Sequence, residues 1–451
     1  MNQYIALIPE MALLTLGIVV FLYGLIRKDI KTIFLFGILS IAVSTSLALM
    51  YSSEFSNSLI RIDIYTILLR LLILFTGILV LMLSYDELSR NSSMANEYVF
   101  LIILALFGMN LMIAANDLLI LYLSLEAFSL PLYILAGFYI RNKQSVEAGL
   151  KYFILGTVAS ILLIGSIVFF YANTGSTSYE SFAALKWDKL SSILILVFLL
   201  FTFTFKLSLV PFHAWAPDVY QGAPTPVTAF FSTAPKVAAF AVLIKVFLVS
   251  QLEIKPQTLI IILSALSMIV GNLLALRQTN LKRLFAYSSI AHAGYMSMAL
   301  LLVDNTLILS LIPYLIAYVF MNIGAFAVIL SISGGENILN YRGLNKVNSL
   351  IAISMAIILI SLTGIPPTAG FIVKFNLFKN VFMAGYQGLV FLGLLMSVLS
   401  AYYYLRIVFY IYKDVPSRVS INKNSLISGV ALASAVFLIL SGVIPSLLMI
   451  N

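Results

Sequence analysis

The stretch LLILYLSLEAFSLPLYILAGFYI, residues 118–140, is apolar throughout except for a single carboxylate, Glu126. A helix of this length can cross the roughly 30 Å of hydrocarbon in a bilayer. Glu126 would lie about 14 Å of helix beyond Asp117, at 1.5 Å per residue. A charge at bilayer depth costs roughly 2.5–3.5 kcal/mol, so an acid there is a functional candidate by default. The stretch therefore predicts a membrane-spanning helix with a buried proton-binding group.

The composition of the 451-residue chain is that of a polytopic membrane protein. Its hydrophobic fraction is 62%, and only 10% of its residues are charged, whereas soluble domains carry about 25% charged residues. The net charge of +9 does not indicate nucleic-acid binding, because no basic cluster with interleaved aromatic residues lies outside the apolar runs. With no cysteine and two histidines, we expect no metal site and no cofactor bound by this chain.

Fourteen apolar runs, without a soluble domain between them, predict an all-α bundle of about fourteen transmembrane helices. The first run contains Glu10 and lacks a basic leader and a small-residue cleavage site, so we expect a retained span rather than a signal peptide. The polar connection 172–190 is expected to hold a short interfacial helix. The predicted spans are 4–26, 32–51, 63–85, 97–115, 117–140, 147–171, 191–221, 224–250, 257–276, 283–303, 306–332, 347–383, 386–412 and 424–448.

Two of these spans contain helix-breaking residues close to a lysine. The seventh reads KLSLVPFHAWAPDVYQG (206–222) and the twelfth reads LTGIPPTAGFIVKFNLF (362–378). Freed backbone at membrane depth is tolerated only inside protein or beside a water-filled cavity, although a single proline more often marks an ordinary kink. Because the breaks are five helices apart, an odd number, they predict two units of opposite orientation, as in transporter repeats. The breaking residues are Pro211, Pro217, Pro366, Pro367 and Gly370.

The distribution of lysine and arginine in the loops predicts the orientation of the chain. Loops after odd-numbered helices hold most of these residues. Loops rich in lysine and arginine normally face the cytoplasm or the matrix. We therefore expect both termini on the opposite, periplasmic side. The odd loops contain Arg27, Lys28, Lys31, Arg90, Arg141, Lys143, Lys151, Arg277, Lys282, Arg283, Arg342, Lys346, Lys413, Arg418 and Lys423, and the even loops contain Arg61, Lys186, Lys189, Lys255 and Lys379.

Three lysines, Lys206, Lys236 and Lys374, each interrupt another long apolar span. A lysine removed from water holds its proton less tightly, and a nearby carboxylate restores that hold. A pair such as Glu126 and Lys206, if its separation changes, is therefore a proton switch. The alternative is a static structural ion pair. One buried acid together with several buried lysines indicates a path for protons or cations through the membrane.

The remaining charged positions within spans leave more than one interpretation open. Lys245 and Arg70 lie nearer the ends of their helices and can extend to the lipid headgroups. Arg406, in the aromatic stretch AYYYLRIVFYIYK, fits anchoring at the interface as well as a place in the path. His292 lies among hydroxyl-bearing residues and is interpreted as a proton relay, although a lone histidine more often packs. His213, beside the first break, fits either role.

Several motifs match a known family. VPFHAWAPDVYQGAPTPVTAFFSTAPKVAAF (210–240) closely resembles the antiporter-like subunits of respiratory complex I, the proton-pumping NADH:quinone oxidoreductase, and most of all their N-type. LIPEMALLTLG (7–17), LKRLFAYSSIAHAGY (281–295) and GIPPTAGFIVKF (364–375) fit the same family in the same order. A lysine on helix 12 argues against the M-type, and the chain ends without the lateral helix of the L-type.

This resemblance implies fourteen helices, with broken helices 7 and 12 and two inverted repeats of five helices, 4–8 and 9–13. The single transmembrane domain would then comprise helices 1–3 (1–96), the first repeat (97–250), the second repeat (257–412) and the last helix (424–448). The family's functional glutamate on helix 5 matches Glu126, and its lysines on helices 7, 8 and 12 match Lys206, Lys236 and Lys374.

The resemblance also implies a place in a larger enzyme, a translocase in which this chain has no redox centre. The expected partners are M-type and K-type neighbours, the lateral helix of the L-type subunit and the lipid bilayer. NADH or another donor, flavin, iron–sulfur clusters and quinone would bind in partner subunits. The bacterial plasma membrane is the expected location, with the mitochondrial inner membrane as an alternative.

Two other functions remain open from the sequence. The runner-up is a subunit of a multisubunit sodium/proton antiporter, which shares the fold. A structural membrane spacer is the third, and it is disfavoured because buried ionisable groups are a poor choice for a spacer. The chain has no P-loop and no dinucleotide-binding GxGxxG motif, so the energy for transport must come from an ion gradient or from a partner subunit.

Overall fold

Helices occupy every predicted span in the computed structural model of the chain. The structure describes residues 3–91, 94–185, 190–249, 256–414, 419–422 and 424–448. The helices are α1 (Gln3–Ala6), α2 (Ile8–Ile26), α3 (Ile30–Met50), α4 (Ile64–Asn91), α5 (Ala95–Ala114), α6 (Leu118–Ala136), α7 (Lys143–Thr174), α8 (Leu190–Leu207), α9 (Trp215–Gly222), α10 (Thr225–Ser232), α11 (Ala234–Val249), α12 (Gln257–Ala275), α13 (Leu281–Ser297), α14 (Asp304–Ser331), α15 (Leu344–Val347), α16 (Ser349–Thr363), α17 (Ala369–Met383), α18 (Gln387–Tyr412) and α19 (Ser425–Val443).

Short elements lie in the connections. An antiparallel hairpin of β1 (Phe55–Ser56) and β2 (Arg61–Ile62) joins α3 to α4. A 3₁₀ turn at Tyr179–Ala184 confirms a short helix in the 172–190 connection, of which residues 186–189 lie outside the described part. The side chain of Arg90 and the loop residues Lys186, Lys189, Lys255, Arg418 and Lys423 also lie outside it. Further 3₁₀ turns are Met298–Leu301, Ile338–Tyr341 and Pro445–Leu447.

Within the described residues, twelve spans are long and apolar enough to cross a membrane, with α10 and α11 counted as one. The predicted tenth and twelfth spans fall short because of length: α13 has 17 residues, and α16 and α17 have 15 each. The chain is therefore an all-α, multi-pass membrane protein. Polar residues at the predicted boundaries begin several helices by accepting hydrogen bonds from the first free N–H groups; these caps are Asp117, Asn142, Asn280, Asn348 and Asn424.

Both predicted helix breaks are confirmed, although Gly370 lies in the first turn of α17 rather than in the second break. Helix α8 ends before Ser208, whose φ of 60° is left-handed, and Pro211 lies in the connection to α9. Helix α16 ends before Gly364, whose φ is 90°, and the connection to α17 holds both prolines of the IPP motif. Pro217 breaks nothing, because it lies in the first turn of α9, where a missing N–H costs no helix hydrogen bond.

A third break interrupts the predicted eighth span. Helix α10 ends at Ser232, Thr233 is non-helical with φ −121° and ψ −84°, and α11 begins at Ala234. Pro235 has no N–H with which to continue the first helix, so the chain starts a new one. Lys236 follows directly. Each of the three spans with a central lysine is therefore interrupted within a few residues of that lysine.

The described helices form two compact units. The first comprises residues up to 206 together with 222–255, and the second comprises 207–221 together with the residues from 256 onward. In the first unit, α5 packs against α2, α4 and α6, and α11 packs against α4 and α5. In the second, α12 packs against α13 and α18, and α14 packs against α16, α17 and α19.

Candidate proton path

Lys206, the penultimate residue of α8, is buried among aromatic side chains of the first unit. Its exposed fraction is 3%. Its Nζ donates a hydrogen bond of 2.7 Å to Ser129 Oγ and a longer one of 3.5 Å to the Tyr133 hydroxyl. The rings of Phe128 and Tyr133 lie 5.2 and 5.6 Å from Nζ, within cation–π range. The ammonium group is therefore held by hydroxyl groups and ring faces of α6.

Glu126 lies one helical turn from Ser129 and is half-buried. Its Oε1 accepts a hydrogen bond from Ser160 Oγ on α7. The predicted switched pair of Glu126 and Lys206 is therefore separated in this conformation: each charge bonds to a different serine, although the two interact electrostatically. The ammonium group of Lys206 would have to move away from Ser129 to pair with Glu126.

A glycine on α7 makes room for the hydroxyl that faces Lys206. A Cβ atom at Gly156 would lie 2.0 Å from Tyr133 Oη, so no larger residue fits there without moving the tyrosine. Ser160, the partner of Glu126, lies one turn further along the same face of α7. Gly156 and Ser160 therefore bring α7 into contact with Tyr133 and Glu126 of α6.

Lys236 is 1% exposed and lies in the first turn of α11, directly after the third break. Lys245, on the same helix, is 6% exposed, and its Nζ donates a 2.6 Å hydrogen bond to the carbonyl oxygen of Arg61. Arg70 is 3% exposed and forms a 2.7 Å ion pair with Glu10. Neither Lys245 nor Arg70 extends to the lipid headgroups, contrary to the interpretation open from the sequence.

Lys374 is buried in the second unit, and its side chain binds the last carbonyl groups of α16. Its Nζ donates hydrogen bonds of 2.9 Å to the carbonyl oxygens of Leu362 and Thr363 and of 3.2 Å to Ser397 Oγ. The last carbonyls of a helix carry its negative dipole end and have no intrahelical partner. A positive charge is therefore favoured at this position. The Tyr295 ring lies 5.1 Å from Nζ.

His292 on α13 is 2% exposed, and tyrosine hydroxyls face both of its ring nitrogens. Nδ1 bonds to the Tyr314 hydroxyl at 3.0 Å and Nε2 to the Tyr404 hydroxyl at 3.4 Å. The Tyr295 ring lies 5.8 Å from the imidazole, so one tyrosine contacts both His292 and Lys374. We call the buried tyrosines around His292 the tyrosine cluster: Tyr220, Tyr295, Tyr314, Tyr318, Tyr403 and Tyr404.

The two remaining candidates have local contacts. His213 is half-exposed in the first break, and its Nδ1 bonds to the carbonyl oxygen of Pro211 at 3.3 Å. Arg406 donates hydrogen bonds to the carbonyl oxygens of Leu276 and Gln278, just beyond the end of α12. These contacts favour an anchoring role for Arg406.

Sequence reasoning missed most partners of the charged groups. Ser129, Ser160 and Ser397 are ordinary serines in apolar runs, and nothing in their spacing marks them. Among the described residues, no group of three histidine, aspartate or glutamate side chains could hold a metal ion.

A multi-pass helical protein with discontinuous helices beside buried lysines belongs to the class of ion-translocating membrane proteins. A model of the NADH:quinone oxidoreductase/Mrp antiporter transmembrane family matches residues 115–400. NADH-quinone oxidoreductase subunit N 2 of Thermodesulfovibrio yellowstonii is 59% identical over 452 residues and is covered completely, as is this chain. The chain therefore belongs to this family, and within it to the subunit N group of NADH-quinone oxidoreductases.

Solved structures agree with this membership. A chain of respiratory complex I from Thermus thermophilus matches with a TM-score of 0.86 and 33% identity over 98% of both chains. A chain of the Mrp complex from Dietzia sp. matches with a TM-score of 0.84 over 98% of this chain and 95% of that one, but at 18% identity it shows the fold alone. The predicted family and the all-α, multi-pass membrane fold are confirmed, and the chain is a membrane subunit of a respiratory complex.

Proposed function

We propose that this chain carries protons across a bacterial plasma membrane through Glu126, Lys206, Lys236, His292 and Lys374, driven by quinone reduction in partner subunits. The observation that carries the proposal is the burial of three lysines, each within a few residues of an interrupted helix. Interrupted helices admit water to groups otherwise stranded in hydrocarbon. Such lysines can therefore gain and lose protons.

The hydrogen bonds of Lys374 link its proton occupancy to the end of α16. The two helix-end carbonyls of α16 bind Lys374 when it is protonated, and the neutral amine has fewer N–H groups to donate to them. Loss of a proton therefore weakens the contact between α16 and Lys374. A moving charge elsewhere in the chain can then change the proton affinity of this lysine, which is the coupling that a proton pump requires.

The assembly and orientation are part of the same proposal. The two five-helix repeats would place two half-channels in opposite orientations, and the excess of basic residues in odd loops supports periplasmic termini. M-type and K-type subunits would be the neighbours, with the lateral helix of the L-type subunit along one side. The donor, flavin, iron–sulfur clusters and quinone would lie in partner subunits, and this chain would bind none of them.

The test is the ratio of protons moved to electrons transferred, measured in reconstituted vesicles with the complete complex. Lys236→Met should lower this ratio in an assembled complex, because methionine keeps most of the volume but binds no proton. Lys379→Met is the matched control, since Lys379 is an exposed lysine on α17, and it should leave the ratio unchanged. A normal ratio in Lys236→Met would show that Lys236 carries no protons.

The sodium/proton antiporter alternative has weaker support. The similarity to the Mrp complex, at 18% identity, concerns the fold, whereas the similarity to subunit N reaches 59% over the whole chain. Replacing sodium by potassium in the vesicle experiment separates the two, because proton movement by an antiporter would depend on sodium.

A further inference from the structure

A second group of buried charges lies in the first unit, away from the path through Glu126 and Lys206. Glu10 and Arg70 are 2% and 3% exposed and form a 2.7 Å ion pair between α2 and α4. Glu10 Oε2 and Arg70 Nε have no hydrogen-bond partner among the described residues. The charge of Lys245 is attracted by the carboxylate of Asp63 and repelled by the like charge of Arg70. We call Glu10, Arg70 and Lys245 the outer charge cluster.

These three residues lie near the same membrane face. Glu10 is in the first turn of α2, Arg70 is in the second turn of α4, and Lys245 is in the last turn but one of α11. The starts of the first and third spans and the end of the eighth share one side of a multi-pass chain. Basic residues in the loops predict that this is the periplasmic side.

An apolar layer separates the outer charge cluster from that face. Five buried residues contact one another there, and we call them the seal: Ala6, Ile60, Ile62, Ile67 and Ala114. Ile67 lies one helical turn before Arg70 on α4, and Ala6 ends α1, four residues before Glu10 in the chain. The seal therefore extends over about one helical turn, between the outer charge cluster and the membrane face.

The hairpin between α3 and α4 supplies two of the five seal residues. Ile60 and Ile62 alternate with Arg61, whose side chain points outward and pairs with Asp63 at 3.6 Å. From the inner side, Lys245 bonds to the Arg61 carbonyl oxygen at 2.6 Å. The hairpin also bonds to the end of α5 through Asn116 N and the carbonyl oxygen of Leu59, at 2.9 Å. The hairpin is therefore held by hydrogen bonds from Lys245 of α11 and from Asn116, which follows α5.

We propose that the outer charge cluster is a proton-exchange site between Lys236 and the periplasm, and that the seal is its gate. The inference rests on the proposed proton path. Lys236 and Lys245 are on one helix, about 14 Å apart at 1.5 Å per residue, so the cluster extends that path toward the outer face. Unpaired buried polar atoms attract water, whereas an apolar constriction excludes it until the constriction opens.

Thiol labelling tests the gate directly, because the chain has no cysteine of its own. In the complete complex, Ala114→Cys would be exposed to a membrane-impermeant methanethiosulfonate from the periplasmic side. We expect slow labelling at rest and much faster labelling during NADH oxidation. Ala105→Cys, on the same helix and also 0% exposed, is the control and should stay unlabelled. Equal labelling of Ala114→Cys at rest and during turnover would overturn the gate.

Glu10→Gln tests the exchange site. Glutamine keeps a polar oxygen beside Arg70 but does not titrate, so the proton-to-electron ratio should fall while the complex assembles. A normal ratio in Glu10→Gln together with a lowered ratio in Lys236→Met would reject the exchange site and retain the proposed function. A normal ratio in both variants would reject the proposed path through Lys236, and the exchange site with it. If Glu10→Gln does not assemble, the labelling of Ala114→Cys decides.

Discussion

The Nζ atom of Lys374 lies 2.9 Å from the carbonyl oxygen of Thr363, so a side chain of α17 satisfies the end of α16 across the second break. The contact joins the two halves of one interrupted helix through a group that can lose its proton. Helix geometry and proton occupancy are therefore linked at this position, and the link can be examined by substitution.

Lys374→Met and Lys374→Arg should both impair proton movement, for different reasons. Methionine leaves the α16 carbonyls without a donor and binds no proton. Arginine keeps a permanent charge and can bind the carbonyls, but it does not release its proton in proteins. We expect a strongly lowered proton-to-electron ratio in both variants of the assembled, reconstituted complex. Near-normal pumping by Lys374→Arg would mean that Lys374 is a fixed charge.

Ser129→Ala should disturb the separation of Glu126 from Lys206. The serine is the nearest hydrogen-bond partner of Lys206, and without it the ammonium group is left with the longer contact to Tyr133. Loss of a hydrogen bond to a charged group costs about 1.5–3 kcal/mol, so proton movement should slow without loss of assembly. Ser124→Ala, on the same helix and equally buried, is the control. Identical turnover in the two variants would contradict a role for Ser129.

Gly156→Ala should displace the Tyr133 hydroxyl, because the new methyl group would lie 2.0 Å from Oη. Overpacking of this kind costs about 1–3 kcal/mol, and here it also reorders the surroundings of Lys206. We expect lower thermal stability of the complex and slower proton movement. Gly429→Ala is the control, since a Cβ atom there meets nothing within 4 Å; the prediction is wrong if the two variants behave alike.

The orientation can be checked with a reporter fused after Asn451. The excess of basic residues in the loops after odd-numbered helices predicts that the C-terminus faces the periplasm. Alkaline phosphatase, which folds only in an oxidising compartment, should therefore be active in the fusion, and a cytoplasmic fluorescent reporter should not. The opposite pattern would overturn the predicted orientation.

The helices and the first two breaks were predictable because each rests on a local signal. Apolar runs of sufficient length determine spans, and the prolines near Lys206 and Lys374 interrupt runs that are too long. The break at Thr233 was missed because the 224–250 run is of ordinary length, and a single proline such as Pro235 more often marks an ordinary kink. A threonine before an Ala–Pro pair is not by itself a recognisable signal.

The charged candidates could be picked out because charges are rare in hydrocarbon, but their contacts could not be predicted. Serines and tyrosines are common in membrane helices, and which of them faces a lysine depends on helix packing. Arg70 and Lys245 illustrate the same limit. Both lie near helix ends, as the sequence indicates, but only the fold shows that Lys245 bonds to the hairpin and Arg70 pairs with Glu10 instead of reaching the surface.

If His292 relays protons as proposed, the tyrosine cluster around it imposes a waiting time between successive protons. Each hydroxyl donates one hydrogen bond and accepts others, and the hydroxyls of Tyr314 and Tyr404 face opposite nitrogens of one imidazole. A proton that passes from one side to the other leaves on the far nitrogen and reverses the tautomer of His292. A second proton cannot follow until the ring and its hydroxyls have turned back. On the proposed path, His292 would therefore pass one proton at a time and would have to return to its starting tautomer after every passage.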